Sequence, residues 1–323
     1  KTLQTAAAVI VLRRKQPDRA REPGRLRLDQ ALSGPRCPQT FHSHRPPFGL
    51  VRTPEAAKHG TGLPVKLAGI SSLYNSKLDV EYIALAPHDQ DHYGGTDAVD
   101  RLMRHAAVSA ADEVLDVCSG LGGPARWLAW KAGCRVTGLD LTESRVQGAT
   151  ELTALAGLSG RVHFVHGNAL AMPFDDARFT LVVAQEAFAH IPDKPRLVRE
   201  IARVLRPGGR VVFTDILHAG ALGSEDAVRL YDGMRFSEIA SAADYAGWLR
   251  DAGLAVTESV DLGAEWTRIL VDRRAMFRSL RDQTVARLGL EHFERYDRAY
   301  AHFVGLYQAG VLTGALIHAR KPA

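Results

Sequence analysis

From residue 113 onward, short runs of β-branched and other apolar residues alternate with longer stretches in which apolar positions recur every three to four residues. The short runs predict strands, and the longer stretches predict amphipathic helices. Seven strands are expected, at 113–117, 135–139, 161–165, 179–184, 210–216, 255–260 and 312–319. Such alternation is typical of an α/β domain in which helices cover a mainly parallel sheet.

Two of the helical stretches have clear ends. Leu197, Val198 and Ile201 share one face of the 195–205 stretch, and Arg206-Pro-Gly-Gly ends that pattern. A second helix is expected at 242–252. About fifty residues between the last two strands also have helical period, with a stripe of Phe293, Tyr296, Tyr300, Phe303, Val304 and Tyr307. We expect most of this stripe to pack against the sheet.

The composition supports a packed core. The chain has 323 residues, of which 46% are hydrophobic and 24% are charged, and this excludes a disordered or collagen-like chain. The longest apolar stretch near its start, 6–12, is much shorter than the roughly 20 residues of a membrane-spanning helix. Three unevenly spaced cysteines build neither a disulfide framework nor a zinc site. These features predict a cytoplasmic protein with no membrane partner.

Positive charge is concentrated in the first part of the chain. Residues 1–66 carry 13 Lys and Arg against 4 Asp and Glu, whereas the remaining residues carry 28 against 32. The first part is also rich in Pro and Gly, and we expect a disordered basic extension that precedes a domain at 67–323. A transit peptide and a nucleic-acid-binding arm are its other interpretations. The acidic balance of the domain argues against a nucleic-acid partner.

A glycine-rich loop follows the first predicted strand. Gly120, Gly122 and Gly123 let the backbone approach a ligand closely, and Pro124 fits the first turn of a helix. Taken alone, Gly120-Leu-Gly-Gly-Pro-Ala also matches the dinucleotide fingerprint G-x-G-x-x-A, with Asp140 as its ribose-binding acid. An NAD-dependent oxidoreductase is therefore one interpretation of the loop.

Four further features favour a different ligand. Asp116 places a carboxylate at the tip of the first strand, where it suits a cationic ligand end better than a pyrophosphate. The amide of Asn168, after the third strand, can hydrogen-bond an adenine edge between apolar neighbours. The fourth strand ends in Gln185-Glu-Ala-Phe-Ala-His-Ile-Pro-Asp, and Arg206-Pro-Gly-Gly leads into the fifth. The sequence contains no Tyr-x-x-x-Lys pair of the kind that dehydrogenases use.

This ordered set resembles the class I S-adenosylmethionine-dependent methyltransferases over residues 71–321. The resemblance implies S-adenosylmethionine as cofactor, S-adenosylhomocysteine as product, and a doubly wound seven-stranded sheet with a helical cap that includes insertions at 218–241 and 264–310. Cys118 stands where the family usually has glycine, and Asn168 where aspartate is commoner. Carried over by position, the cofactor-binding residues are Asp116, Cys118, Ser119, Gly120, Gly122, Asp140, Leu141, Arg145, Asn168, Ala169, Leu170 and Gln185.

Three segments, 119–126, 185–194 and 309–321, are similar to the sarcosine and dimethylglycine N-methyltransferases within this family. This implies a small-molecule acceptor, with an amine nitrogen as the first candidate. An O- or C-methyltransferase of secondary metabolism, lipids or quinones is the alternative. An aromatic cage with a carboxylate-binding arginine would favour the amine, and a long apolar pocket would favour the alternative. The oligomeric state stays open.

Methyl transfer needs no covalent nucleophile, but an acceptor that carries a proton needs a base. His190 is the first candidate for this role, and Glu186 is a catalytic candidate as a cation-facing carboxylate. In the segment 88–95, where the resemblance implies a substrate-side cap, His92 and Tyr93 are the best candidates, Tyr93 for a catalytic role. Candidates for an aromatic wall and for acceptor-binding arginines are Tyr93, Phe188, Trp266, Arg235, Arg268 and Arg273. His88 and His92 are spaced like metal ligands, but a third ligand is not evident, so no metal site is expected.

Overall fold

The computed structural model of the protein describes Tyr82 and residues 86–323, so the extension predicted at 1–66 lies outside the described residues. The strands are β1 Glu113–Val117, β2 Arg135–Asp140, β3 Val162–His166, β4 Phe179–Gln185, β5 Leu205–His218, β6 Ala255–Asp261 and β7 Leu312–Arg320. The helices are α1 Gly95–Ala106, α2 Gly123–Ala132, α3 Glu143–Leu155, α4 Lys194–Val204, α5 Ser224–Met234, α6 Ala242–Asp251, α7 Gly263–Ser279, α8 Arg281–Leu288 and α9 Leu290–Gln308.

The seven strands form one sheet in the order β3-β2-β1-β4-β5-β7-β6. The five strands β1 to β5 are parallel to one another, whereas β7 lies antiparallel to both β5 and β6. Parallel neighbours need crossover connections, and α2, α3 and α4 lie in those between β1 and β2, between β2 and β3, and between β4 and β5. The prediction of a seven-stranded, mostly parallel sheet is confirmed.

Both faces of the sheet are buried, as expected of a doubly wound fold. Along β4, Leu181 and Val183 belong to the apolar core on one face, and Val182 and Ala184 belong to the core on the other. This alternation follows from the two-residue period of side chains in a strand. Helices α1, α2 and α9 contribute to the first core, whereas α4 and α6 contribute to the second.

The fifth strand is longer than the sequence predicts, because it begins at Leu205 rather than at Arg210. Helix α4 ends at Val204, so the Arg-Pro-Gly-Gly motif ends the helix but lies within the strand. The residue that follows β7 explains the extension: the Gly208 N–H donates to the Lys321 carbonyl, and the Lys321 N–H donates to the Gly209 carbonyl. This pairing depends on residues more than a hundred positions away, which local periodicity does not reveal.

Three consecutive helices, α7 to α9, occupy the connection between β6 and β7. The aromatic stripe predicted there lies on α9, where Tyr296 is half-buried and Phe293, Tyr300, Phe303, Val304 and Tyr307 are buried. The stripe is therefore core packing, as its period indicates. In the part of the chain that the structure describes, none of the helices has the length and apolar character needed to cross a membrane.

Candidate functional site

The carboxyl ends of β1, β2 and β4 meet at one edge of the sheet. Strand β1 lies between β2 and β4, with Asp116 paired to Gly138 on one side and to Val183 on the other. The chain leaves β1 toward β2 and later returns to β4 on the opposite side. Open α/β sheets bind ligands in the crevice at such a reversal.

The loop from β1 to α2 is held in a tight, left-handed conformation. Cys118, Gly120 and Gly122 have φ angles of 61°, 57° and 80°, respectively. The Ser119 N–H donates to the Leu139 carbonyl at 3.0 Å, and the Gly122 N–H donates to the Ser119 carbonyl at 2.9 Å. Glycine is required at position 122, since a Cβ there would lie 2.3 Å from the Phe164 ring. Cys118 adopts a backbone conformation that favours glycine, the residue that the family usually has there.

Asp140 connects the end of β2 to this loop. Its Oδ2 accepts from the Gly120 N–H at 2.8 Å, and its Oδ1 accepts from the Thr142 N–H at 2.9 Å. Carboxylate oxygens have two lone pairs each, so both can still accept from a ligand. The guanidinium of Arg145 lies near the loop, with Nη1 3.4 Å from the position of a Cβ built on Gly120. Leu141 is exposed next to Asp140.

Two polar atoms beneath the loop are buried without a hydrogen-bond partner among the described residues. They are Oδ2 of Asp116, a residue that is 3% exposed, and Oγ of Ser119. Burial, with a smaller contribution from the Asp140 carboxylate, raises the pKa of Asp116 to about 8. A buried polar group without a hydrogen-bond partner costs stability, and such groups are rare in proteins. These two atoms therefore indicate that a polar ligand binds at this edge.

The turn after β3 is shaped by Asn168. Its side-chain Oδ1 accepts from the Leu170 N–H at 2.8 Å, and the residue is exposed. Ala169 is buried and Leu170 is half-buried, so apolar surface flanks the exposed amide.

At the tip of β4, the side chains of Gln185 and Glu186 contact the residues that precede α1, which we call the 86–94 segment. Gln185 Nε2 lies 3.2 Å from His92 Nδ1. The Glu186 carboxylate accepts from the Tyr93 N–H at 2.6 Å and from Thr214 Oγ1 at 2.7 Å. Burial raises the pKa of Glu186 to about 7, although these hydrogen bonds oppose the shift. Glu186 therefore joins the segment to the sheet, and each of its oxygens already accepts one hydrogen bond in that contact.

The residues predicted to form an aromatic wall do not surround an open pocket. Phe188 is fully buried and Trp266 is 2% exposed. The Tyr93 ring packs edge-on against Trp266 with centroids 5.0 Å apart, and the guanidinium of Arg273 lies 4.9 Å from the Tyr93 centroid. Arg273 also donates to the carbonyls of Asp91 and His92.

The other candidate arginines also face away from such a cage. Arg268 is exposed and bonds to the Ala264 carbonyl of its own helix. The guanidinium of Arg235 lies 5.6 Å from the centroid of the Tyr231 ring. Neither an aromatic cage nor an arginine directed into one is formed by these candidates.

His190 lies at the end of a short 3-10 turn, Phe188–His190, which follows β4. Its Nδ1 lies 3.0 Å from the Arg235 carbonyl oxygen. A carbonyl can only accept, so Nδ1 carries the hydrogen and the neutral ring has an unprotonated Nε2. Desolvation, with smaller contributions from the positive charges of Arg145 and Lys194, lowers the pKa of His190. The imidazole of His190 is therefore neutral near neutral pH. Arg145, whose positive charge contributes to this, lies beside the glycine loop.

Sequence reasoning missed a buried ion pair that holds the 86–94 segment against the loop. Arg126 on α2 is 0% exposed and forms a bidentate pair with Asp89, in which both N–O distances are 2.7 Å. It also donates to Leu121, Ala149 and Thr153. Gly123 approaches this segment so closely that a Cβ there would lie 1.6 Å from the Asp89 carbonyl oxygen. Arg126 lies within a motif singled out in the sequence, but its partner is 37 residues away.

Among the described residues, no group of three His, Cys, Asp or Glu side chains is arranged to hold a metal ion.

A family described as a methyltransferase domain matches residues 115–213. The 27-O-demethylrifamycin SV methyltransferase of Amycolatopsis mediterranei (strain S699) is 33% identical over 233 residues, with coverage of 70% of this chain and 84% of that protein. The chain belongs to the class I S-adenosylmethionine-dependent methyltransferases.

This methyltransferase is also 30% identical over 208 residues to the sarcosine/dimethylglycine N-methyltransferase of Halorhodospira halochloris, covering 64% of this chain and 75% of that protein. Its fold is similar to that of phosphoethanolamine N-methyltransferase 2 from Haemonchus contortus, with a TM-score of 0.65, 19% identity, and coverage of 79% of this chain and 60% of that chain. The resemblance inferred from the sequence motifs is confirmed at the level of the family.

S-adenosylmethionine is the methyl donor of this methyltransferase, and the strand tips fit such a ligand. The unpartnered oxygens of Asp116 and Ser119 suit its polar amino-acid end. The left-handed backbone at Gly120 and Gly122 brings the loop close to the crevice. A few polar groups placed in this way fix the orientation of a bound ligand.

Proposed function

We propose that the methyltransferase methylates a hydroxyl group of a small molecule, with His190 as the general base. The observation that carries this proposal is the hydrogen bond from His190 Nδ1 to the Arg235 carbonyl, which leaves Nε2 able to accept a proton. Positioned general bases of this kind accelerate reactions by about 10² to 10⁴. A relative named for a 27-O-demethyl substrate is consistent with an oxygen acceptor.

The proposed cofactor contacts are those expected from the family. Asp116 and Ser119 would hold the amino-acid end beside the loop of Cys118, Gly120 and Gly122, and Asp140 would accept from the ribose hydroxyls. The adenine and remaining contacts would come from Leu141, Arg145, Asn168, Ala169, Leu170 and Gln185. When bound, S-adenosylmethionine supplies an electrophilic methyl group on its sulfonium. The residues of the chain then contribute orientation, the exclusion of water and the acceptance of one proton at His190.

The surroundings of the acceptor side favour a hydroxyl over an amine. An amine that becomes quaternary is best held by open aromatic faces, but Phe188 and Trp266 are buried and the Tyr93 ring is covered by Arg273. A neutral hydroxyl needs no such cage, only a base for its proton. An amine acceptor, which the sequence put first, is the second candidate because of the 30% identity to a sarcosine/dimethylglycine N-methyltransferase.

An acceptor screen with methyl-labelled S-adenosylmethionine separates these two candidates. We expect label to pass to hydroxyl-bearing polyketides or phenols and not to sarcosine or dimethylglycine. Calorimetric binding of S-adenosylhomocysteine is measured beforehand, together with Asp140→Ala and the exposed control Asp251→Ala. Loss of the Asp140 oxygens should weaken binding at least about tenfold, whereas the control should bind normally. Transfer to sarcosine would overturn the hydroxyl proposal, and preferential binding of NAD would overturn the proposed cofactor contacts.

Cofactor binding should release a proton near neutral pH. Asp116 has a pKa of about 8 in the free protein, so below that pH most molecules carry a protonated carboxyl group. A cationic ammonium beside it favours the carboxylate and lowers that pKa, so binding expels the proton. We expect calorimetry at pH 7 in two buffers of different ionisation enthalpy to show proton release on S-adenosylhomocysteine binding, and affinity to rise from pH 6 to 8.

The matched variant for this prediction is Asp116→Asn, which keeps the shape of the side chain but cannot ionise. Its binding enthalpy should be the same in both buffers, and its residual affinity should not depend on pH over this range. Equal proton release by the wild-type protein and the variant would show that another group titrates.

A further inference from the structure

Lys194 is a buried cation in an unfavourable position. It is the first residue of α4 and is 0% exposed. The amino end of a helix carries partial positive charge, so an ammonium group there is opposed by the helix dipole as well as by desolvation. Burial lowers the pKa of Lys194, although the carboxylates of Asp215 and Glu238 oppose this shift. A residue kept under these conditions must make compensating contacts.

The compensating contacts of Lys194 join two separate segments. Its Nζ donates to the Ile191 carbonyl at 3.1 Å and to the Glu238 carbonyl at 2.7 Å. Ile191 directly follows His190 in the chain. Glu238 lies in the stretch that connects α5 to α6, which we call the 235–241 segment after its residues.

Further hydrogen bonds link the 235–241 segment to the residues beside His190. The Arg235 carbonyl accepts from His190 Nδ1, and the N–H groups of Ser237 and Glu238 donate to the Ala189 carbonyl at 2.9 and 3.3 Å. On the opposite side, the Ala189 N–H donates to the buried carboxylate of Asp215 at 3.2 Å. His190 is thus held through both of its chain neighbours and through its own ring.

We propose that Lys194 is a positioning residue that holds the 235–241 segment against the turn bearing His190, so that the segment and the base are ordered together. This inference rests on the proposed function only for the role of His190. Lys194 Nζ also lies 3.7 Å from Glu238 Oε2. An apolar residue in place of such a buried ion pair is often as stabilising, so overall stability alone does not explain the ammonium. One cationic donor can bond carbonyls of two segments at once, which an apolar side chain cannot do.

Hydrogen exchange and histidine titration in the protein test this proposal without an acceptor. In Lys194→Met, the amides of Ser237 and Glu238 should exchange at least about tenfold faster, while amides of β1 keep their protection. The pKa of His190, followed by NMR and assigned with His190→Gln, should shift, because the positive charge of Lys194 is lost and the hydrogen bond from Nδ1 to the Arg235 carbonyl weakens with the segment. Arg145 is the other charged group acting on this ring, and it is unchanged.

Lys194→Arg keeps the charge and the donors, so both measurements should stay near the wild-type values. Lys131→Met, which removes an exposed lysine paired with Asp100, is the matched control and should change neither. If Lys194→Met does not fold, Lys194→Gln replaces it, since it lacks the charge and reaches less far. Unchanged exchange at Ser237 and Glu238, or an equal loss of protection in β1, would overturn the proposal. Loss of turnover in His190→Gln tests the proposed function separately.

Discussion

His190→Gln is expected to lower kcat by about 10² to 10³ with the acceptor found in the screen. Glutamine can still donate to the Arg235 carbonyl, so the turn should stay in place, but its amide does not accept a proton from a hydroxyl. Removal of a positioned general base costs a factor within the range of about 10² to 10⁴. Single-turnover transfer of labelled methyl groups measures this loss directly.

The pH dependence gives this prediction a second readout. The pKa of His190 is lowered from its usual value of about 6.5, so with saturating S-adenosylmethionine, which keeps Asp116 ionised, the wild-type rate should fall on the acid side only below that pH. This acid limb should be absent in His190→Gln. The exposed His163 on β3 offers a matched control, and His163→Gln should keep both the rate and the limb. A rate within a few-fold of the wild type in His190→Gln would mean that another group accepts the proton.

Arg126→Met should destabilise the protein by about 3 to 5 kcal/mol, because it leaves the Asp89 carboxylate buried without its countercharge. The whole stability of a domain is only about 5 to 15 kcal/mol, so this is a large fraction. Urea unfolding followed by circular dichroism gives the free energy of unfolding. The control is Arg135→Met, which removes the exposed Arg135–Glu113 pair and should cost about 0 to 1 kcal/mol.

The same variant should weaken S-adenosylhomocysteine binding, because Asp89 holds the segment that contacts Gln185 and Glu186 at the tip of β4. Binding is measured at a temperature where the variant is folded. Equal destabilisation by Arg126→Met and Arg135→Met would show that the buried pair contributes no more than a surface pair.

The sequence predicted the sheet well, because short, local patterns of apolar residues indicate strands. The predicted bounds of β1 are those of the structure, and most other strands differ by one residue. Asp116, Asp140 and Gln185 could be placed near one another for the same reason, since the ends of neighbouring parallel strands share one edge.

What the sequence could not reveal is which polar groups already have partners. Glu186 looked like an available carboxylate, but the Tyr93 amide, 93 residues away, uses one of its oxygens. The pairing of Arg126 with Asp89 and the contact of Lys194 with Glu238 likewise join distant segments. Such pairs are set by tertiary packing, and neither helical nor strand periodicity encodes them.

The position of β7 between β5 and β6 has a consequence for synthesis on the ribosome. Among the described strands, β6 pairs only with β7, and β7 follows only after the three helices α7 to α9 have been made. At roughly 5 to 20 residues per second, the nascent chain carries an unpaired β6 for several seconds. Polar side chains of β6 such as Thr257, Glu258 and Ser259 are exposed in the finished protein, and they limit the risk of aggregation during this interval. The sheet is therefore completed beside its edge, when β7 enters between β5 and β6, which are already synthesised.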